Sequence, residues 1–493
     1  MLDSENRDAI CLQKSRVGMK QRWLRASFIG VAAVGLCAAG TMAFATPPDP
    51  FGTDAALRRD TAGYNDPLGH DCAIPGGELT FTAAVDLALC RNPQTRASWA
   101  AAHQQAAALG SAESAWLPSV TVSAGASRDI GQHVDVTGNI LNSAQNTGDA
   151  AATLSWTLYD FGARSGRIKS ARSLLDAAAA TAGSVAQQLV RLVVQSYYGV
   201  VAGDADLAAA KITDDVTGHS LEIARSLREG GVGTLADVLQ AETAHGQAVL
   251  ARVQATAAAK SARGTLAVTL GLTADQAFKL AAEPVPTEVP ALTARMADLM
   301  AEAARQRPDL KAAQAQRDAA EANITVARAL GRPSILLGAQ HSFNYQTGVP
   351  NENYNQVGIS LTWPIFSGFN VSYGVRQAQA ALQQQDANLE QVGLTVTLDV
   401  WNSYYSLDSA NQALTITAGL TKTAEDNLQV ALGRYQAGVG TIVDVLTAQS
   451  AAATARTLRI NAELGWKVAR ANLALALGRL SSAQPLQTGA ALP

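Results

Sequence analysis

The sequence is written twice. Asn92-Pro93 is answered by Arg307-Pro308 and Leu117-Pro118 by Arg332-Pro333, both at an offset of 215 residues. Further on, Trp156 answers Trp363, Tyr197-Tyr198 answers Tyr404-Tyr405, Gly231-Val232-Gly233-Thr234 answers Gly438-Val439-Gly440-Thr441, and Asp237-Val238-Leu239 answers Asp444-Val445-Leu446, all at 207. A fixed-order self-match of this kind means two copies of one structural unit, near 79–271 and 292–478. The offset changes only between Pro118 and Trp156, so the first copy carries eight extra residues there, which exposed loops tolerate best. Glu283 to Pro290 holds three prolines in eight residues and can be neither helix nor central strand, so 272–291 reads as a linker.

Each copy changes period partway. Ser119-Val120-Thr121-Val122-Ser123-Ala124, Thr153 to Leu158, and Val357 to Trp363 alternate apolar and polar, as strands with one apolar side do. Each copy thus offers a hairpin with strands of about ten residues, enough to cross an outer membrane when tilted, with Trp156 and Trp363 suited to an interface. From Arg164 to Arg228, and from Tyr373 to about Gln436, the period is helical. Ala378, Leu382, Leu389, Val392, Val396, Val400, Leu407 and Leu414 fall on one stripe. A helix of about 65 residues is roughly 100 Å long, which no compact domain accommodates. Both helices stop at glycines, Gly230-Gly231 and Gly438, and a returning helix starts after Thr234 or Thr441, whose hydroxyls can cap it. Four strands with two open edges cannot stand alone in lipid, so several chains must close one barrel together. A soluble β-sandwich would explain only the strands, and a filamentous coiled coil or other structural envelope protein only the helices.

The chain starts with a secretory pattern. Lys14, Arg16, Lys20, Arg22 and Arg25 precede an apolar run from Phe28 to Ala39 and the small-residue sequence Ala43-Phe44-Ala45, so residues 1–45 read as a signal peptide cleaved after Ala45. The polar stretch ahead of Met19 is long for such a signal, which makes Met19 a rival start to Met1. A retained anchor would need a longer apolar run, and lipidation at Cys37 a better lead-in than Val34-Gly35-Leu36. No later stretch has eighteen uncharged apolar residues, so no transmembrane helix is expected in the mature chain. Removing six basic and three acidic side chains from a total of −3 leaves about −6, with no basic cluster for nucleic acid. Cys11 and Cys37 leave with the signal; Cys72 and Cys90 remain in an oxidising compartment, where a disulfide is the default. His70, His103, His133, His219, His245 and His341 are scattered, with no metal spacing, nucleophile elbow or phosphate loop nearby. No active site, cofactor or metal is expected.

These features together resemble the TolC-type outer-membrane efflux proteins across essentially the whole mature chain. The resemblance rests on Ala88-Leu89-Cys90-Arg91-Asn92-Pro93, Trp363-Pro364-Ile365-Phe366-Ser367-Gly368, Gln195-Ser196-Tyr197-Tyr198 and the run from Tyr435 to Leu446. The Cys90-bearing segment also resembles the subgroup serving type I protein secretion, which includes the outer-membrane component of the adenylate cyclase toxin exporter. The resemblance implies a mainly helical, internally duplicated tunnel subunit that gives four strands to a trimeric β-barrel. It also implies a homotrimer in the outer membrane extending into the periplasm, a periplasmic adaptor, and an inner-membrane ABC or proton-driven transporter. Protein secretion and small-molecule or drug efflux both fit, because the pump selects the cargo.

Carried over residue by residue, Gly231, Val232, Gly233, Thr234, Gly438, Val439, Gly440 and Thr441 are implied to form adaptor-docking tips. Without the resemblance, the glycines simply permit tight turns. Asp444 is implied to face the periplasmic aperture, where three copies would form an acidic ring favouring cations; alone, it is an acid suited to a helix start. Asp237 and Tyr435 match positions that hold the tip shut. The family's partner arginine is absent, because Gly440 stands there, and Thr447 replaces the second acid. These departures imply a single acidic ring and a different closure. Residues 46–78 and the tail 479–493 receive no functional reading, and little order is expected in the tail.

Overall fold

The computed structural model describes residues 49–60, 67, 72, 77–134, 136–138, 140–281 and 295–479. The signal peptide, the Glu283–Pro290 run and the tail beyond Arg479 lie outside them. The body that begins at Phe51 is described below.

Its first copy runs α1 (Thr53–Asp60), α2 (Phe81–Arg91), α3 (Pro93–Glu113), β1 (Ser119–Val134), β2 (Ile140–Tyr159), α4 (Ala163–Glu229) and α5 (Leu235–Thr269). The second runs α6 (Met296–Gln306), α7 (Pro308–Ala329), β3 (Ser334–Gln346), β4 (Val349–Thr362), α8 (Asn370–Gln436) and α9 (Ile442–Ala476). Apart from α1, every element of one copy has its counterpart in the other. α4 and α8 each hold 67 residues, about 100 Å of helix. Their length is stabilised by packing on one stripe: Val396, Val400, Leu407 and Leu414 are buried, as the helical period predicts. One stretch of α4 is long and apolar enough to pass for a membrane span. Its Leu189, Val190, Val193 and Val194 are instead buried in the protein, against Phe81, Val85 and Leu270.

The four strands form one antiparallel sheet in the order β1-β2-β3-β4. Its outer strands, β1 and β4, each have one edge without a partner among the described residues. Register aligns Val120 with Leu154, Leu154 with Ala339 and Ala339 with Val357; one step along, Trp156, Leu337 and Ile359 align. Because side chains alternate, all of these lie on one face, while Thr153, Ser155, Gln340, Gln356, Gly358 and Ser360 share the other. Among the described residues nothing covers the apolar face: Val122, Val357, Ile359 and Leu361 are 64–77% exposed. The strands hold 16, 20, 13 and 14 residues, longer than the ten that alternation predicts. They continue past the apolar band because a ladder of backbone hydrogen bonds needs no apolar side chains to propagate. The extra residues of the first copy lengthen β1 and β2, where a larger loop was the expectation.

At the other end of the hairpins, β2 is locked to α4. The Arg164 guanidinium, 4% exposed, donates to the carbonyls of Ala115, Thr157 and Leu158, pairs with Asp160 at 3.1 Å and lies over the Trp116 ring. Trp156 Nε1 donates to the Trp116 carbonyl at 2.9 Å. The second copy has no such clamp, and Trp363, Ile365, Phe366 and Phe369 stand 57–83% exposed.

Midway along the long helices, α5 and α9 end where α3 and α7 begin. There Asn92 caps α3, accepting from the Gln94 amide at 2.8 Å, and donates to the Thr269 carbonyl at 2.9 Å. Arg307, its counterpart, pairs with Asp309 and Asp399 at 2.5 and 2.8 Å. Leu79 exchanges backbone hydrogen bonds with Lys279 and Ala281, so the segment before α2 meets the start of the linker. Cys72 and Cys90 are bonded, their Cα atoms 5.9 Å apart, and Arg91 donates to the Cys72 carbonyl at 3.2 Å.

Candidate functional site

Both glycine turns close in the same way. After α4, Gly231 takes φ +81° and the amides of Val232 and Gly233 donate to the Leu227 carbonyl; after α8, Gly438 takes φ +75° and those of Val439 and Gly440 donate to Arg434. The left-handed residue lets the chain reverse, and the last turn's carbonyls are satisfied. Thr234 then caps α5 and Thr441 caps α9, each in a reciprocal capping box with the acid three residues on. Asp237 accepts from the Thr234 amide at 3.0 Å. Asp444 accepts from the Thr441 amide at 3.1 Å and from the Thr441 hydroxyl at 2.8 Å.

The two turns are brought side by side by an apolar cluster: Leu221, Ala224, Val238 and Ala241 from the first copy, Tyr435, Ile442 and Val445 from the second. Val232 and Val439 project from the turns, 80% and 69% exposed. Tyr435 is buried, its hydroxyl has no hydrogen-bond partner, and burial followed by the charge of Asp237 pushes the phenol up. The Thr441 side chain, then its backbone amide, then the charge of Arg434 hold the exposed Asp444 carboxyl below the usual range. The structure thus places all eight turn residues together, with Tyr435 beside Asp237 and Asp444 at the start of α9.

Gly440 has a structural reason of its own. A Cβ there would lie 3.1 Å from the Tyr435 backbone nitrogen, and one on Gly233 2.8 Å from that of Arg228. In this turn, a side chain at 440 would crowd the end of α8.

Among the described side chains, the histidines do not gather. His103 meets Asp54 at 3.2 Å, His219 meets Glu222 at 3.5 Å, His245 meets Asp214 at 3.5 Å, and His341 bonds Asn355 across β3 and β4 at 2.7 Å. Among the described residues no group of three or more metal-ligating side chains exists. A polar cavity of about 600 Å³ lies midway along the helices, lined by Arg191, Arg307, Asp309, Asp399 and Asn472. Sequence reasoning missed the Arg164 clamp and a buried contact between Gln449 and Ser220. The first had a signal, an acid four residues ahead of a basic residue at a helix start; the second joins residues 229 apart and had none.

The sequence matches the family described as outer membrane efflux protein over residues 84–272 and 299–479, one stretch in each copy. It is 32% identical to protein CyaE of Bordetella pertussis over 382 residues, 76% of this chain and 78% of that protein. It is 25% identical to the outer membrane protein TolC of Vibrio cholerae over 394 residues, 78% of this chain and 87% of that one. Among solved structures, the outer-membrane channel OprN superposes with a TM-score of 0.71 at 22% identity, covering 84% of this chain and 96% of that one. VceC of Vibrio cholerae gives 0.68 at 19%, covering 81% and 96%. The repeated hairpin and long-helix pairs are therefore a shared fold, and the chain belongs to the outer membrane efflux protein family, whose members are outer-membrane channels extending into the periplasm and not enzymes.

Proposed function

We propose that three copies of this chain form the exit duct of a tripartite export system, passively conducting substrate that an inner-membrane transporter and a periplasmic adaptor deliver. The observation carrying this reading is the sheet: an uncovered apolar band on one face, outer edges unpaired among the described residues, joined to helices about 100 Å long. Backbone edges cannot stay unpaired in lipid, and closing β4 of one copy on β1 of the next satisfies them. The exposed apolar residues of α8, among them Leu394, Leu398, Trp401 and Tyr405, need the same neighbour. In this reading the Gly231–Thr234 and Gly438–Thr441 turns dock the adaptor through Val232 and Val439, and Asp444 rings the aperture with Asp237 and Tyr435 behind it.

The service we propose is type I protein secretion. The Cys90 segment and the likeness to CyaE support it. Small-molecule efflux is the second reading, favoured by likeness to a pyoverdine export protein of Pseudomonas aeruginosa and a toluene efflux pump protein of Pseudomonas putida. Expressing the chain in cells lacking their own duct, beside either an ABC protein exporter or a proton-driven pump with its adaptor, separates the two. Restored protein secretion supports the first; restored tolerance of small toxic compounds with no secretion overturns it.

A further inference from the structure

From Asp204 down to the tip, each helical pair is cross-tied within itself. Between α4 and α5, Arg263 holds both oxygens of Asp204 at 2.7 and 2.9 Å, and Arg252 reaches Asp214 at 3.2 Å. Between α8 and α9, Arg456 holds Glu425 at 2.8 Å, and Arg459 and Thr421 donate to the carbonyls of Leu414 and Ala455 at 2.7 and 3.2 Å. From one pair to the other, among the described residues over this length, the polar link is a single side chain. Gln449 Nε2 on α9 donates to Ser220 Oγ on α4 at 2.7 Å and approaches the Val216 carbonyl at 3.5 Å; Ser220 in turn donates to Val216 at 3.0 Å. Ser220 is 1% exposed and Gln449 5%. Near the tip the pairs also meet through an apolar cluster, and Tyr435 of α8 lies close enough to Asp237 of α5 to feel its charge without a hydrogen bond between them.

This distribution has a mechanical meaning. Ion pairs make each helical pair move as a unit, while apolar surfaces slide over one another at little cost. A short, buried, directional hydrogen bond does not slide. Gln449 is also divided against itself: its Oε1 is buried without a partner among the described residues, and it borders a cleft between α4, α5 and α9 lined by Thr213, Gln240, Gln247 and Ser450. Separation of the pairs would hydrate that oxygen, so the bond holds a state that its own residue also strains. We infer that the Gln449–Ser220 hydrogen bond is the polar latch holding the two helical pairs of a protomer together above the tip. The inference rests on the channel reading and names positioning residues for its gate.

The test is single-channel recording of the detergent-purified trimer, with trimer mass and melting temperature measured beside it. Ser220→Ala removes one buried oxygen and no volume; it is compared with Gln449→Ala, the double variant, and Arg456→Gln, which cuts a tie inside one pair. The latch predicts that Ser220→Ala and Gln449→Ala each raise the open-time fraction about fivefold with the trimer intact. The double variant should rise no further than the larger single effect, and Arg456→Gln should match wild type. If Gln449→Ala fails to assemble, Ser220→Ala decides alone. A wild type that conducts, with variants gating identically or with fully additive effects, overturns the latch and leaves the channel standing. Intact trimers that never conduct, wild type and variants alike, overturn the channel reading and the latch with it.

Discussion

At the scale of single residues, the tip is governed by backbone geometry more than by charge. Gly233 approaches the end of α4 so closely that an added Cβ would sit 2.8 Å from the Arg228 nitrogen, so Gly233→Ala must shift the turn. We expect a loss of about 1 kcal/mol locally, read as faster hydrogen exchange at residues 226–238 with the rest of the helices protected as before. Asp444 gives a pH prediction with a definite sign. Its folded carboxyl is held below the ordinary value of 3.8 by Thr441, so the capping contribution is present above that value and is lost as pH falls through the lower folded one. The α9 cap of the single chain should therefore hold through pH 4 and loosen only below the ordinary carboxylate range, read as hydrogen exchange at residues 441–445; loosening between pH 5 and 6 would contradict the Thr441–Asp444 capping box.

At the scale of elements, the sequence was legible wherever a period ran long. The α8 stripe from Val392 to Leu414, the two capping threonines and the paired glycine stops are visible because local geometry dictates them. Strand ends were not legible: alternation fades in polar residues such as Asn142, Asn146 and Asn353, while the backbone ladder continues through them. The tip's positions were readable from the duplication, but the Tyr435–Asp237 proximity and the Gln449–Ser220 bond depend on how two separate helical pairs pack. The sheet's orientation is testable directly. Ile359→Lys, on the apolar face, should destabilise the assembled protein by about 2–4 kcal/mol, whereas Ser360→Lys, one residue along, should cost about 1 kcal/mol or less. Thermal melting of the purified trimer reads both, and equal losses would mean that the sheet does not divide lipid from lumen.

At the scale of the whole molecule, two copies of one unit give a chain with open edges at both ends of its sheet and uncovered apolar helix surface beside them. Such a chain is half a solution, which assembly completes. The Cys72–Cys90 bond, closing a loop across 18 residues, fastens the segment before α2 to the middle of the helices. Replacing both by serine should lower stability by about 3 kcal/mol, seen as a lower melting temperature with conductance unaltered at low temperature.

The central claim, a trimeric conduit with an acidic aperture, is tested most directly by single-channel conductance of the purified protein in a planar bilayer, wild type against Asp444→Asn. The account predicts discrete steps from a trimer, cation-preferring in the wild type and less so in the variant. A folded protein that is not trimeric and passes no current would contradict it.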